Sequence, residues 1–595
     1  MRRIIIFLFL LTIYLKAETI NPDAVYERLT YEYILNNDGS IEFNYEHSLR
    51  YLTYFAINRL LGESFVVYNP DYQVLKITKS ETIMSNGVLV KAPINAFNEV
   101  LPKNAANTAG YFNLREMVVT HTGLERNCVV NFGYKITTKA GFLPGLFGDI
   151  VIGGHHPIKY FEIVIKVPAG KKLNLFMANN GPMGNKSSEG EFDVYKWQLK
   201  NIPMIPVESN QPDFKEYLPT LYFSTLELSQ ITESLAHNKE LILLDGKAKN
   251  KVQDLISGKF TFFDKVMTLR NYVFSNISGS NFDLNLIGFK PQPAIMTFER
   301  GSGSYLDKAI LLKAMCEAVG INTELAFCTN YSTEKPDLTL FSEFNVFLVH
   351  CKSEDDDQNI LLDPNNNQTS LFPESVINKT VFSVGIDKVY LIKPFETHNL
   401  SSFKALLNYK DLKLTSKYVA SGQYVEDLDI NAFNSKFNSY LKSRKFEIDE
   451  KATSGKVLFN LFEKEINCKI IMENYTDEII KLEFPPIIGT FNEENIMIVP
   501  TSRISPIKLK KINNEDYEVI IKLDDCDKRL LNPVEIEEEN DIGLVEIKIQ
   551  QIDKEIKFKR KLVLKRMFID PKDYHFLYKI ISLWDNVRYR YVYLK

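Results

Sequence analysis

The spacing of hydrophobic residues changes twice along this chain. Between about residues 24 and 225 the period is two. Ile41, Phe43 and Tyr45 alternate with Glu42, Asn44 and Glu46, which is how a strand with one buried face reads. Tyr26–Leu35 precedes it, with Asn37-Asp38-Gly39-Ser40 as the connecting turn. Ser85-Asn86-Gly87 marks a second hairpin between Glu81–Met84 and Val88–Val90. Further strands are predicted over Glu116–His121, Cys128–Thr137, Ile158–Val167 and Asp193–Leu199, with one short helix near Tyr54–Leu61. From about 226 to 385 the period lengthens. Phe262, Val266, Leu269, Val273 and Ile277 share one face of a helix. Leu311, Ala314, Met315 and Ala318 predict another, stopped by Gly320. Strands over Thr323–Thr329, Phe344–Cys351 and Ile360–Leu362 follow. Beyond about 386 the strand period returns, in Tyr517, Val519, Ile521 and Leu523 and in Ile556, Phe558, Leu562 and Leu564. Asp570-Pro571 opens a terminal helix running to Trp584.

These shifts predict a multidomain chain. Two mainly-β, sandwich-type domains, at 18–225 and 386–595, flank an α+β domain at 226–385, in which helices precede a short antiparallel sheet. The length of 595 residues requires more than one core. A formal net charge of −4 gives no ground for nucleic-acid or membrane-surface binding. The 30 Tyr and 40 Phe fit pleated faces first and a glycan- or protein-binding surface second.

Arg2-Arg3, a dozen mostly apolar residues and Leu15-Lys16-Ala17 read as a signal peptide over 1–17, too short to span a bilayer comfortably. No later transmembrane segment is expected. Export permits disulfides. The six cysteines are scattered, without zinc spacing. Cys328 and Cys351, on consecutive predicted strands, either pair or stay as buried free thiols. The adjacent His155-His156 is not expected to hold a metal, and no cofactor is expected.

Residues 301–315 read GSGSYLDKAILLKAM, a glycine-bearing loop entering a helix. Many enzymes present a nucleophile at such a helix start, where the dipole favours negative charge. Here the presented residue is Tyr305. Downstream stand Phe344-Asn345-Val346 and Leu361-Leu362-Asp363-Pro364. This order resembles the transglutaminase-like superfamily, whose core is papain-like. The resemblance implies a Cys at the helix start, a His on the second strand and an Asp before Pro. Aligned on Asp307-Lys308-Ala309 and Leu311-Leu312, the Cys position falls on Tyr305, the His position on Val346 and the Asp position on Asp363. A phenol titrates near pH 10 and Val carries no proton, so two of three roles are lost. Cys316 lies about 16 Å along the helix from its start, and His350 about 13 Å along the strand from Val346. Ser302, Ser304 and Asn345 are expected to line the old cleft.

The resemblance extends outward. YFAINRLLGESFVVYNPDYQ, NAFNEVLP and LREMVVTHTGLE look like the domain of unknown function that precedes such a core in exported Bacteroidota proteins. DPKDYHFLYKIISLWDNVRYRYVYLK resembles the companion C-terminal domain. The expectation is a non-catalytic cell-envelope protein, periplasmic or on the outer surface, that binds an unidentified protein or glycan. Two alternatives stand beside it. One is an active thiol acyl-transferase or cysteine peptidase with a displaced site, built on Cys316, Cys328 or Cys351. The other is a glycan- or protein-binding surface adhesin.

Overall fold

The computed structural model describes residues 21–227, 238–329, 344–352, 359–368, 502–524 and 526–595, with shorter stretches between 373 and 484 and single residues elsewhere. The predicted signal segment lies outside the described residues. Among the described residues the chain is mostly β, with few helices, and no helix is long and apolar enough to cross a membrane.

The N-terminal half is built on an eight-stranded sheet. Its centre is the strand Ala24–Leu35, paired antiparallel with Ile41–Tyr51 and parallel with Ile158–Pro168. Alternation explains both faces. Tyr31, Tyr33, Phe43, Tyr45 and Tyr134 point inward and pack edge to face or tilted. Outward, Lys135–Glu42 and Lys166–Glu32 ion pairs, at 2.7 and 2.9 Å, tile the solvent side. Two three-stranded sheets cover the inner face. One brings Ile150, Leu221 and Phe223 onto Leu29, Phe161 and Ile163. The other brings Val66 and Val119 onto Leu49, Val130 and Phe132. The short helix expected near Tyr54–Leu61 is not one helix. Asn58 accepts hydrogen bonds from the Leu60 and Leu61 amides, so it starts a new turn, Arg59–Gly62, after a separate 3-10 turn, Tyr54–Ala56.

The middle of the chain carries α1 (Gly246–Ile256), α2 (Phe262–Asn276), α3 (Ala294–Arg300) and α4 (Tyr305–Glu317). A five-stranded sheet follows, antiparallel at every pairing. Helix α4 is buried on nearly all sides, as its apolar circumference requires. Leu325, Phe327, Phe347 and Val349 face it. Ala326, Cys328, Val346 and Leu348 point to the opposite face of the sheet.

The last third is a nine-stranded sheet, again with one parallel pair, Leu400–Asn408 beside Asn514–Lys522. Helix α5 (Tyr574–Trp584) lays Leu577, Ile580 and Ile581 on Val545, Ile547 and Leu562. It begins after a 3-10 turn at Pro571–Asp573 rather than directly at Asp570.

Candidate functional site

The start of α4 is set by its own first residues. Ser304 is extended, and its hydroxyl accepts from the Asp307 amide at 3.1 Å. Asp307 Oδ2 accepts from the Ser304 amide at 2.7 Å, closing a reciprocal capping box. The wholly buried Asp307 carboxylate also accepts from the Tyr111 hydroxyl and the Gln292 amide, each at 2.7 Å, and from Gln292 Nε2 at 3.3 Å. Burial pushes this carboxyl up, and the donors oppose that shift. Tyr111 arrives from the N-terminal half and stacks on Phe282, ring centres 4.6 Å apart. The Ala109 amide donates to Ser302 Oγ at 3.0 Å. Ser302 and Ser304 were expected in the cleft lining. Both are buried, and their hydroxyls are committed to backbone amides, so they hold the loop instead.

Tyr305 is the first residue of α4, half-buried against the main core. Its carbonyl accepts from Asn365 Nδ2 at 3.3 Å. The same Nδ2 lies 3.4 Å from the Phe347 carbonyl, and two carbonyl neighbours fix which end of this amide is nitrogen. The Asn365 backbone amide donates to Asp363 Oδ1 at 2.8 Å. Asn365 therefore ties together the segments that carry Tyr305, Val346 and Asp363. The sequence reading missed it. The Asp-Pro-Asn-Asn run was its only local signal.

Asp363 is fully buried and acts as a turn residue. Its carboxylate accepts from Asn366 at 3.2 Å (backbone) and 2.9 Å (side chain), and from Ser375 Oγ at 2.7 Å. Arg270 Nε donates to its carbonyl at 2.7 Å. Val346 shares a small cluster with Cys328, Leu348 and Val376, on the face turned away from α4. Tyr305 packs in the main core on the other face, so the two are not placed in one packed patch.

Two buried cations complete the surroundings. Lys308 sits one turn into α4, and burial lowers it to about 8, against the opposing pull of Asp363. Arg270 is lowered to about 10 by burial and lies 4.6 Å over the Phe274 ring. With Asp307 and Asp363 they make a formally neutral buried set.

All six thiols are free. Cys328 and Cys351 do not pair, because in the register Cys328 opposes Val346 while Cys351 opposes Thr323, and they point to opposite faces. Cys351 instead faces Cys316. Burial and that neighbour raise its thiol well above the ordinary value. Burial pushes Cys328 and Cys468 up to about 12. His350 meets Ser383 Oγ at 3.1 Å and Glu324 at 3.6 Å, on the face away from Cys351. Burial would raise Glu324, but bonds from His350, Lys352 and Ser383 outweigh it and hold the carboxyl at about 2. A thiolate is the nucleophilic form, and these environments disfavour it. Asn345 lies elsewhere, on a cavity of about 570 Å³ between the N-terminal sheet and the middle region.

The fold can be set beside known proteins. Residues 37–206 match DUF3857 and residues 477–594 match DUF3858, both families of domains of unknown function. The chain is similar to the crystal structure of a "putative protease" from Parabacteroides distasonis ATCC 8503. Identity is 22%, 96% of this chain and 99% of that chain are covered, and the TM-score is 0.72. That likeness establishes a shared fold. A "putative cysteine protease" from Cytophaga hutchinsonii is 9% identical over 60% of this chain and 86% of that chain, with a TM-score of 0.17. No curated protein matches the chain. Fold and matches together define the class: a multidomain, mostly β chain bearing DUF3857 and DUF3858 domains, with the architecture of the Parabacteroides protein.

Proposed function

We propose that this chain is a non-catalytic, transglutaminase-like cell-envelope protein that acts by binding or scaffolding. In this reading, β-sandwich domains at 18–225 and 386–595 flank the degenerate core at 226–385. A segment over 1–17 directs export, and the mature protein works in the periplasm or on the outer surface. The observation that carries the reading is the start of α4. The residue presented there is Tyr305, and the groups around it are committed to capping and turn hydrogen bonds. Asp363 supports it too, since its carboxylate is taken up by Asn365, Asn366 and Ser375 and meets no imidazole among the described residues.

The Parabacteroides protein is described as a "putative protease", and with the shared fold this makes peptidase activity the reading to beat, which in this chain would fall to a cysteine. What weighs against it here is that Cys316, Cys328 and Cys351 are buried, and that Cys351 and its neighbour His350 point to opposite faces. The test is an amide-turnover assay on purified protein, with and without iodoacetamide. The expected result is no thiol-dependent turnover, and no change on Tyr305→Ala or Asp363→Ala. Iodoacetamide-sensitive turnover would overturn the proposal.

A further inference from the structure

The cavity on the N-terminal sheet has the make-up of a ligand site. Its floor is the inner face of the sheet, with Tyr33, Phe43 and Tyr134 side by side. The Tyr33 and Phe43 ring centres are 4.6 Å apart, and those of Phe43 and Tyr134 are 5.8 Å apart. Its walls are the two small sheets that cover that face, which leave a gap between Phe65–Val67 and Phe147–Asp149. Its roof is 281–286 with Phe344 and Asn345 from the middle region. Phe65, 39% exposed, stands at the mouth.

The amide oxygens on this cavity are unlike the Asp307 carboxylate at α4, both of whose oxygens accept hydrogen bonds. The Oδ1 atoms of Asn281 and Asn345 are buried and accept no hydrogen bond among the described residues. Buried polar atoms are normally partnered, so each such exception points to something missing. Tyr33 and Tyr134 keep protonated hydroxyls, because burial raises both, with Asp149 and Asp283 adding to the shift at Tyr33. The charged groups are largely accounted for. Asp149 pairs with Lys215 at 2.7 Å, and Asp283 caps the following turn through the Asn285 amide at 2.8 Å.

Resting on the reading that this protein acts by binding, we infer that the cavity takes a short neutral oligosaccharide. Sugar hydroxyls both donate and accept, so one ligand satisfies amide oxygens and phenol donors together. The floor rings are tilted or edge-on to one another, by 33° for Tyr33 and Phe43 and 74° for Phe43 and Tyr134, so the C–H face of a pyranose would stack on one ring face at a time. A volume of about 570 Å³ falls within the range of sites that enclose a small ligand, about 300–1,000 Å³. A peptide chain is the competing occupant, because the walls include the edge strands Glu63–Tyr68 and Phe147–Val151; the two orphaned amide oxygens beside phenol donors favour a ligand rich in hydroxyls.

The experiment is calorimetric titration of the full chain with maltotriose, cellotriose, mannotriose and N-acetylchitotriose, and with trialanine as the peptide probe. At least one neutral trisaccharide should bind saturably at millimolar concentration or below. Tyr33→Phe with Asn345→Ala should weaken that binding about tenfold, with the thermal melt retained. Tyr134→Phe provides a second, milder variant if the first does not fold. The inference fails if none of the four sugars binds, if binding is unchanged in the folded variants, or if trialanine alone binds. None of these outcomes touches the turnover assay, so this inference and the non-catalytic reading fail separately.

Discussion

Two polar regions of this molecule look alike in composition and differ in accounting. At the start of α4, Asp307 is buried and its carboxylate receives Tyr111, Ser304 and Gln292. Both oxygens of this carboxylate are met from inside the protein, while Asn365 Oδ1 and Arg270 Nη2 nearby are buried without a hydrogen-bond partner among the described residues. On the cavity beneath the middle region, Asn281 and Asn345 bury carbonyl oxygens that meet no hydrogen-bond donor among the described residues. The sequence motif draws the eye to the first region, because a glycine-bearing loop entering a helix is where many enzymes keep a nucleophile. The hydrogen bonds favour the second. A satisfied polar network holds a fold together, whereas an unsatisfied one is expensive unless something occupies it.

The contrast can be broken most severely at Asp307. Asp307→Ala strips the partner from the Tyr111 hydroxyl and from two backbone amides. Each buried donor left unsatisfied costs about 1–3 kcal/mol, so the variant should lose at least about 3 kcal/mol, to be read by urea denaturation. A cost under about 1 kcal/mol would mean that the network is not structural.

A smaller effect is expected at Lys308. Its folded value of about 8 lies below its ordinary 10.5, so between those limits the unfolded chain binds more protons. Stability contributed by this site must then rise as pH rises from 8 to 10.5, by on the order of 2–3 kcal/mol. Comparing wild type with Lys308→Met across that window isolates it. The gap should shift in favour of wild type at the alkaline end, and a flat difference would contradict the buried placement.

The smallest effect should come from the cavity. Asn345→Ala removes no hydrogen bond that its buried oxygen makes among the described residues and should change stability by less than about 0.5 kcal/mol. A loss as large as that of Asp307→Ala would erase the distinction between the two regions.

Much of the fold was legible beforehand. Ile41, Phe43 and Tyr45 do face the core, and the helix carrying Phe262–Ile277 runs as α2, ending one residue earlier at Asn276. What escaped was set by contacts distant in sequence or by a one-residue alternation. Tyr111 reaches Asp307 across 196 positions. The face to which Val346 points depends on a strand period of two, where one step inverts the outcome. At Asn58 a side chain outbid the helix. The cavity joins Tyr33 and Tyr134 to Asn281 and Asn345, and no local pattern marks such a meeting.

The most direct test of the central claim is iodoacetamide labelling of the folded protein at neutral pH, read by mass spectrometry at each cysteine. Cys128, Cys316, Cys328, Cys351 and Cys468 are buried, and Cys526 is half-buried. The account predicts that Cys526 labels first and that the other five stay unmodified until the chain is unfolded. Rapid modification of Cys316, Cys328 or Cys351 in the folded state would contradict it, and would return the protein to the thiol enzymes.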